Sequence, residues 1–390
     1  MTVRTKGLSN LNTFKAVAMT AIALLLFSCQ NEQITDDRRI TLYPVIDNKI
    51  ETTVMTRADA VDKTKYTEYA GDARQALAVK AIAYEPNSST RAQEKDADGV
   101  FAPLSPTGWR SGVKVEQNYD YNLYVYSSAM PTATPPTFSL TNGATLTFDG
   151  LDLITALDPL VCVAASGAVL GDDPDPNDYP ELTEGSFSIG TITTVEVEGG
   201  GEKKTKAFLA MDHLYSKATL SFRVDNQYSQ LRKVRIKEVE IKIAKSTLSG
   251  SHTYGFPSKK LTLDANKTYT GNPSSINLYD GPTATAQPEG ENDYIELTTT
   301  FKEFGYFYFL PINPIPSMYL QVTYDVCDLN DKVVRADQTA SNYSIFSSID
   351  YNGGRAAAGT NYLVKILVSP SYLYQLSDDD LELGLTVEQQ

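Results

Sequence analysis

Histidine is scarce in this chain of 390 residues, which contains only His213 and His252. A Ser-His-Asp triad needs a histidine beside an acid, and histidine-rich zinc sites need several such ligands. The scarcity nearly excludes both kinds of site, and we interpret His213 as a structural hydrogen-bonding residue. A glycosidase needs two carboxylates that face each other across a cleft, and no spacing singles out such a pair. The sequence therefore predicts no catalytic residue, no metal site and no cofactor.

Cysteine is almost as scarce, with Cys29, Cys162 and Cys327 in the whole chain. Cys162 and Cys327 each lie in an apolar segment that is typical of a strand. They could pair in an oxidising compartment, but they fall in different predicted domains. Free cysteine behaves as a small hydrophobic residue, so we favour two buried free thiols over a disulfide.

Positive charge is in deficit, because 34 lysines and arginines face 48 acids and the formal net charge is −14. Nucleic-acid binding needs clustered cations, so the composition argues against nucleic acid as a partner. Beyond residue 28 the sequence lacks an apolar run long enough to span a bilayer as a helix.

The first 28 residues have the pattern of an export signal. Arg4, Lys6 and Lys15 precede an apolar run over residues 16–27, and Leu26-Phe27-Ser28-Cys29 is a lipobox-like tetrapeptide. This order predicts a lipoprotein signal peptide over residues 1–28, cleavage between Ser28 and Cys29, and lipid on the Cys29 thiol. The alternative is an ordinary secretory leader with an incidental cysteine.

Residues 29–57 combine a polar tether with one short strand. Ile40, Leu42 and Ile46 lie at alternate positions, and Pro44 favours a sheet edge because proline cannot donate to a ladder. Arg57-Ala58 follows in a small polar segment that suits a protease. We predict cleavage there, which removes the strand, although Arg-Ala pairs also begin at Arg91, Arg335 and Arg355.

The rest of the chain reads as many short strands separated by turns. Leu220, Phe222 and Val224 alternate, and a change of phase near Lys237-Glu238 predicts a β-bulge. Glycines 199–201 mark the best boundary, so we predict an all-β protein with two tandem β-sandwiches over residues 58–201 and 202–390. Two local expectations are a helical turn or two over residues 151–157, and tyrosines over residues 119–126 that pack in strands rather than stack on sugars.

Two further segments allow more than one interpretation. Leu381, Leu383, Leu385 and Val387 alternate near the end of the chain. They form either a strand donated to another subunit or the last strand of their own sheet. The acidic segment over residues 173–184 has oxygen side chains at calcium-loop spacing, but Asp178 stands where the turn needs glycine, so we favour a solvated loop.

The order of several motifs resembles the Bacteroidales fimbrillins, the type V pilins, over nearly the whole chain. Besides the lipobox and Arg57-Ala58, the motifs lie at residues 208–224, 307–311 and 359–366. The resemblance implies two transthyretin-like Greek-key sandwiches and cleavage after Arg57 by a trypsin-like protease. It also implies that the strand within residues 40–55 leaves a groove, which a strand of another subunit fills.

These inferences together predict a non-enzymatic subunit of surface fimbriae that supports adhesion. Its partners would be other fimbrial subunits, together with the outer membrane through the Cys29 lipid before processing. The predicted location is the outer membrane and cell surface, reached through the periplasm. The alternative is a membrane-anchored lipoprotein that binds surface glycans. The sequence does not distinguish a stalk subunit from a tip or anchor subunit.

Overall fold

Alternating apolar residues form strands throughout the part of the chain that the computed structural model describes. The structure describes residues 41–47, 66–68, 76–103, 109–110, 115–116, 119–141, 143–169, 191–193, 205–265, 268–280, 294–312, 317–342, 358–370 and 381–389. These residues belong to one compact unit, Arg38–Gln390. They form 24 strands, numbered here in chain order, and two short 3-10 helices at Gln93–Lys95 and Tyr228–Gln230. The prediction of an all-β protein is confirmed.

The largest sheet, sheet I, has nine strands and contains both early and middle segments of the chain. Its order is β2 (Tyr66–Glu68), β1 (Thr41–Asp47), β12 (Thr205–His213), β10 (Leu160–Val169), β6 (Asp120–Ser127), β3 (Leu77–Tyr84), β4 (Ala97–Pro103) and β5 (Trp109–Arg110), with β11 (Thr191–Thr193) paired with β6. Most of its pairs are antiparallel, and β1 runs parallel to β12.

Three five-stranded sheets contain the remaining strands. Sheet II has the order β24 (Leu381–Gln389), β23 (Asn361–Pro370), β13 (Ser216–Val224), β20 (Lys302–Phe309) and β9 (Ile154–Thr155). Sheet III has the order β18 (Ser274–Asp280), β14 (Lys233–Ile243), β21 (Met318–Cys327) and β22 (Val333–Asn342), with β19 (Ile295–Glu296) on β14. Sheet IV has the order β16 (Lys260–Thr262), β15 (Thr247–Gly255), β8 (Thr145–Asp152) and β7 (Thr137–Ser139), with β17 (Thr268–Thr270) on β15.

Two hydrophobic cores lie behind these sheets. The smaller core contains residues of sheet I, including Leu77, Val79, Leu123, Val125, Leu160 and Leu209. The larger core is built mainly from sheets II, III and IV, with Phe148, Phe222, Ile241, Phe307 and Leu320 among its fully buried members. Burial of side chains this large is the main favourable contribution to such a fold, at about 1.5–3 kcal/mol each.

Strand pairing crosses residue 201 in both directions. The strand β8 precedes that residue but pairs with β15 in sheet IV, and β9 pairs with β20 in sheet II. In the other direction β12 follows residue 201 but pairs with β10 in sheet I. The division into domains over residues 58–201 and 202–390 stays a prediction.

Several local expectations are tested by the strands. The β-bulge is confirmed, because the register of β14 against β21 shifts between Ile236 and Glu238. The helical turns over residues 151–157 are wrong. The strand β8 runs to Asp152 and β9 covers Ile154–Thr155, since Leu151, Leu153 and Ile154 all enter the larger core. Burial of Tyr121, Tyr124 and Tyr126 confirms that the tyrosines of β6 pack in the protein.

Candidate functional site

The first strand, β1, lies between two neighbours in sheet I. Positions Thr41–Ile46 pair in parallel with Lys206–Met211 of β12. On the other side only Val45–Asp47 pair with β2, in antiparallel orientation. Pro44 precedes that second pairing, so its missing N–H removes no bond to β2. The expected edge position therefore holds for the first part of β1 and not for its last three residues.

The partner strand β12 is held in place independently of β1. Its opposite side pairs with β10 from Leu160 to Val169, with one bulge between Cys162 and Ala164. Leu209 and Met211 are buried in the smaller core. If β1 is removed, β12 therefore keeps its core contacts and its β10 ladder, and it presents a vacant strand edge.

The last strand, β24, pairs within its own chain. Leu381–Gln389 run antiparallel to Tyr362–Pro370 of β23 at the edge of sheet II. The register places Leu383, Leu385 and Val387 opposite Val368, Ile366 and Val364, which are buried. The sequence left two interpretations of this segment, a strand donated to another subunit and the last strand of its own sheet. The structure shows the second arrangement.

A buried ion pair joins the end of β12 to the chain before β10. The Nδ1 atom of His213 lies 2.7 Å from Oδ1 of Asp158, and both side chains are almost fully buried. Burial alone would lower the pKa of His213, but the negative charge of Asp158 and its hydrogen bond outweigh burial, so the pKa is raised. The prediction that His213 is a hydrogen-bonding residue is confirmed.

Backbone hydrogen bonds connect the same region to sheet II. The N–H of Leu214 donates to the Pro159 carbonyl at 2.8 Å, and the N–H of Gly359 donates to the Tyr215 carbonyl at 2.9 Å. The Tyr215 hydroxyl donates to the Asp152 carbonyl at 2.5 Å. These bonds tie the passage from β12 to β13 to the segments before β10 and β23 and to the end of β8.

Several predicted site residues lie outside the described residues. They are Ser28, Cys29, Ile40, Arg57 and Ala58, together with Arg355-Ala356 and the acidic segment over residues 173–184. Of the predicted removable strand, Leu42 and Ile46 lie in β1. Lipidation, signal cleavage and processing at Arg57 stay predictions.

The other Arg-Ala pairs within the described residues are in strands or bridges. Arg91 forms an isolated bridge with Tyr84 and an ion pair with Asp96. Ala92 is buried, and its N–H donates to the Ala83 carbonyl at 2.9 Å. Arg335-Ala336 lies in β22, paired with β21. A protease needs an extended and unpaired segment, so Arg91 is poorly placed for cleavage.

Sequence reasoning missed β12 as the partner of β1. Ala207, Leu209 and Met211 alternate, which is the period of a strand, but they stand next to Asp212-His213 and Leu214, which blur the pattern. Periodicity indicates which residues share a face, and it does not name the neighbouring strand. The pairing of residues so far apart could not be read from it.

Both cysteines expected to be free are buried and unpaired with each other. Within the described ranges, no group of three or more His, Cys, Asp or Glu side chains is arranged to hold a metal ion. The same ranges contain no helix with the length and apolarity needed to cross a membrane.

Comparison with known proteins gives structural likenesses at low sequence identity. Neither a protein-family model nor a curated protein matches the chain. A fimbrial protein from Bacteroides vulgatus ATCC 8482 is 12% identical, with a TM-score of 0.46, over 90% of this chain and 98% of that one. The fimbrial anchor protein Mfa2 from Porphyromonas gingivalis is 10% identical, with a TM-score of 0.33, over 90% of this chain and 97% of that one.

Proposed function

We propose that this chain is a structural subunit of surface fimbriae that polymerises by strand addition and supports adhesion. In this proposal it is exported as a lipoprotein through Cys29, and a protease cuts after Arg57. The observation that carries the proposal is the position of β1, which is the only described strand before residue 57. It pairs with β12 over Thr41–Ile46, while β12 is held separately by β10 and by the smaller core.

Removal of β1 would leave a preformed edge rather than an unfolded region. Such an edge favours addition of an extended segment, because ladder hydrogen bonds give affinity and alternate side-chain positions give register. The incoming strand would have to run parallel to β12 if it is to reproduce the pairing of β1. The apolar positions Leu381, Leu383, Leu385 and Val387 make β24 the candidate donor.

An energy estimate supports addition to a preformed edge. The four apolar side chains would contribute about 1.5–3 kcal/mol each when an edge buries them, or roughly 6–12 kcal/mol together. Ordering the seven residues from Leu381 to Val387 costs on the order of 1–2 kcal/mol each for the backbone. The two contributions nearly cancel. A released β24 would therefore gain little by ordering alone. We expect it to leave β23 only when the ordered strand edge of another subunit is available to pair with it.

Limited trypsin treatment tests the proposal directly. The chain from Gln30 is analysed by intact mass and native gel before and after brief digestion, beside an Arg57→Ala variant and an Arg91→Ala control. We expect one early cut after Arg57 followed by a ladder of oligomers that the uncut chain does not form. The Arg57→Ala variant should show neither the cut nor this cleavage-dependent ladder, and the Arg91→Ala variant should behave as the unchanged chain.

The other outcomes assign different roles. A clean cut without a ladder would contradict self-polymerisation and favour a tip subunit, or assembly that needs a different partner. Resistance at Arg57 in the folded chain would contradict processing. It would favour a permanently anchored lipoprotein, which a glycan array would then test for saccharide binding.

A further inference from the structure

Exposed hydrophobic side chains are concentrated at one end of sheet III. Among the described residues, six large hydrophobic side chains are exposed, and four of them lie at this end. We call these four residues the apolar tip; they are Leu231, Leu329, Val333 and Val334, with exposed fractions of 42%, 52%, 44% and 52%. Scattered exposed residues are normal, whereas a cluster indicates an interaction surface.

The strand register brings the four residues together. Lys233, at the start of β14, pairs with Cys327 of β21, and Cys327 pairs with Val333 of β22. Leu231 lies two residues before Lys233, and Leu329 lies two residues after Cys327. All four residues therefore belong to the same end of three adjacent strands.

The turn that carries Leu329 is ordered by its own hydrogen bonds. The Oδ1 atom of Asp328 accepts the backbone N–H groups of Asn330 and Lys332, both at 2.9 Å. The N–H of Asp328 also donates to the Lys332 carbonyl at 2.9 Å. The turn therefore presents Leu329 from a fixed backbone, which lowers the entropy cost of a contact there.

The strand β22 exposes two neighbouring valines at this end. Val333 pairs with Cys327 and Arg335 pairs with Val326, so Val334 lies at a register shift between them, and the two valines are 44% and 52% exposed. In the described topology β22 is also the edge strand of sheet III. Exposed β-branched residues on an edge strand are a surface on which another chain can pack.

Positive charge surrounds the apolar tip. Arg232, Lys332 and Arg335 are beside it in sequence, and no described acid lies within ion-pair distance of them. Arg232 donates to the Leu231 carbonyl at 2.8 Å. Of the two acids beside the tip, Asp331 lies 2.8 Å from Lys233 Nζ and contacts Arg235, and Asp328 accepts two N–H groups of its own turn. Burial raises the pKa of Tyr228, while the charges of Arg232 and Arg335 act to lower it, so both guanidinium groups lie near that side chain.

We propose that the apolar tip is a contact surface for a second copy of this chain. The chain has a formal net charge of −14, so the rim of Arg232, Lys332 and Arg335 complements the surface of another copy. Two tips facing each other would bring like charges together, which disfavours a two-fold contact. A head-to-tail contact between the tip and an acidic surface grows into an open chain instead.

This inference rests on the proposed function in assigning the contact to a fimbrium. The contact differs from strand addition because it requires neither cleavage after Arg57 nor release of β24. The two ideas can therefore fail separately.

Sedimentation velocity of the uncleaved chain from Gln30, which contains every described residue, tests the contact. We expect concentration-dependent self-association that weakens at least tenfold between 0.05 and 0.5 M NaCl. Leu329→Ser with Val334→Ser, and Arg232→Glu with Arg335→Glu, should each weaken association at least tenfold. Val100→Ser with Leu157→Ser is the matched control, because these exposed residues lie elsewhere, and it should associate like the unchanged chain.

Several results would overturn the inference. They are a monomeric unchanged chain at both salt concentrations, or equal weakening by the control pair. Tip-dependent binding to anionic vesicles without self-association would assign the tip to a lipid surface instead. Circular dichroism and melting temperature identify any variant that fails to fold. If the variant with Leu329→Ser and Val334→Ser does not fold, the variant with Arg232→Glu and Arg335→Glu tests the contact instead.

Repetition after cleavage at Arg57 separates this inference from the proposed function. A ladder that the tip variants leave unchanged would overturn the tip contact and keep the function. Tip-dependent oligomers of the uncleaved chain, without a ladder after cleavage, would support the tip contact and contradict polymerisation by strand addition.

Discussion

His213 and Asp158 form a buried ion pair across 55 positions of sequence, with 2.7 Å between Nδ1 and Oδ1. The side chains are 12% and 8% exposed. The Nε2 atom of His213 has no hydrogen-bond partner among the described residues, so Asp158 is the main partner of the ring. The pair holds the end of β12 against the chain that leads into β10, and it makes stability depend on pH.

The pH dependence has a definite sign. The pKa of His213 is raised in the folded state above its unfolded value of about 6.5. Protonation therefore favours folding, and the contribution is complete below the unfolded pKa and lost as pH rises through the folded pKa. We expect Asp158→Asn to lower the free energy of unfolding by about 1.5–3 kcal/mol at pH 5.5, and by less at pH 8.5. Urea unfolding at both pH values measures this difference.

Asp149→Asn is the control for this pH dependence, because Asp149 is exposed on β8 of sheet IV. It should change the free energy of unfolding by no more than about 0.5 kcal/mol at either pH. A loss for Asp158→Asn that is equal at both pH values, or larger at pH 8.5, would contradict the role of protonated His213.

The two thiols should be inaccessible in the folded chain. Cys162 and Cys327 are buried and form no disulfide, and burial raises the pKa of the Cys327 thiol, which disfavours its reactive thiolate. We expect the chain from Gln30 to give no rapid reaction with a thiol reagent such as DTNB, and two reactive thiols in concentrated guanidinium. If the unfolded chain gives no reactive thiol in the absence of reductant, the two cysteines form a disulfide and this prediction is wrong.

Two glycines should differ in their tolerance of alanine. Gly305 has φ of +126°, and a Cβ there would lie 3.0 Å from the Leu278 carbonyl oxygen. Gly143 also has a positive φ, +91°, but the nearest atom to a Cβ lies 3.9 Å away. We expect Gly143→Ala to cost about 1–2 kcal/mol from backbone conformation alone. Gly305→Ala should cost at least about 1 kcal/mol more, because it adds a clash with backbone.

Thermal or urea unfolding of the two glycine variants gives the comparison. Both substitutions place an alanine at positive φ, so a larger loss at Gly305 reports the contact with Leu278 together with its more extreme φ. Equal losses of stability would show that the chain near Leu278 shifts easily to admit a methyl group.

Neighbouring positions of β23 should respond very differently to truncation. Ile366 is fully buried in the larger core, whereas Leu367 on the other face is only partly buried. Ile366→Ala should lower the free energy of unfolding by about 2–5 kcal/mol, because it removes packed methyl groups and leaves a cavity. Leu367→Ala, the matched control, should cost less than about 1.5 kcal/mol, and similar losses at both positions would contradict the assigned faces of β23.

Local features of the fold could be predicted where one strand carries its own signal. The alternation of Leu220, Phe222 and Val224 specified a strand with these three residues buried, and the phase change near Lys237 specified the bulge. The helical turns over residues 151–157 were predicted wrongly, because Leu151, Leu153, Ile154 and Leu157 also fit a helical period. Contacts in the larger core favour the strand over the helix, and these contacts cannot be seen in a short stretch of sequence.

Strand partners could not be predicted in the same way. Nothing in Thr41–Asp47 indicates that its neighbour is β12, or that the two strands run parallel. The candidate assembly site was therefore predicted as a removable strand without the edge that it covers. Likewise, the four residues of the apolar tip are individually unremarkable in sequence, and only the register of β14, β21 and β22 brings them to one place.

The parallel pairing of β1 with β12 also sets a delay during synthesis. Ile46 pairs with Met211, and 211 − 46 gives a separation of 165 positions. At about 5–20 residues per second, a ribosome needs roughly 8–30 s to make that interval. For this time β1 has only its short pairing with β2, and its longer ladder cannot form. A strand that pairs across so much sequence is therefore completed late, after the segments between the two strands have been made.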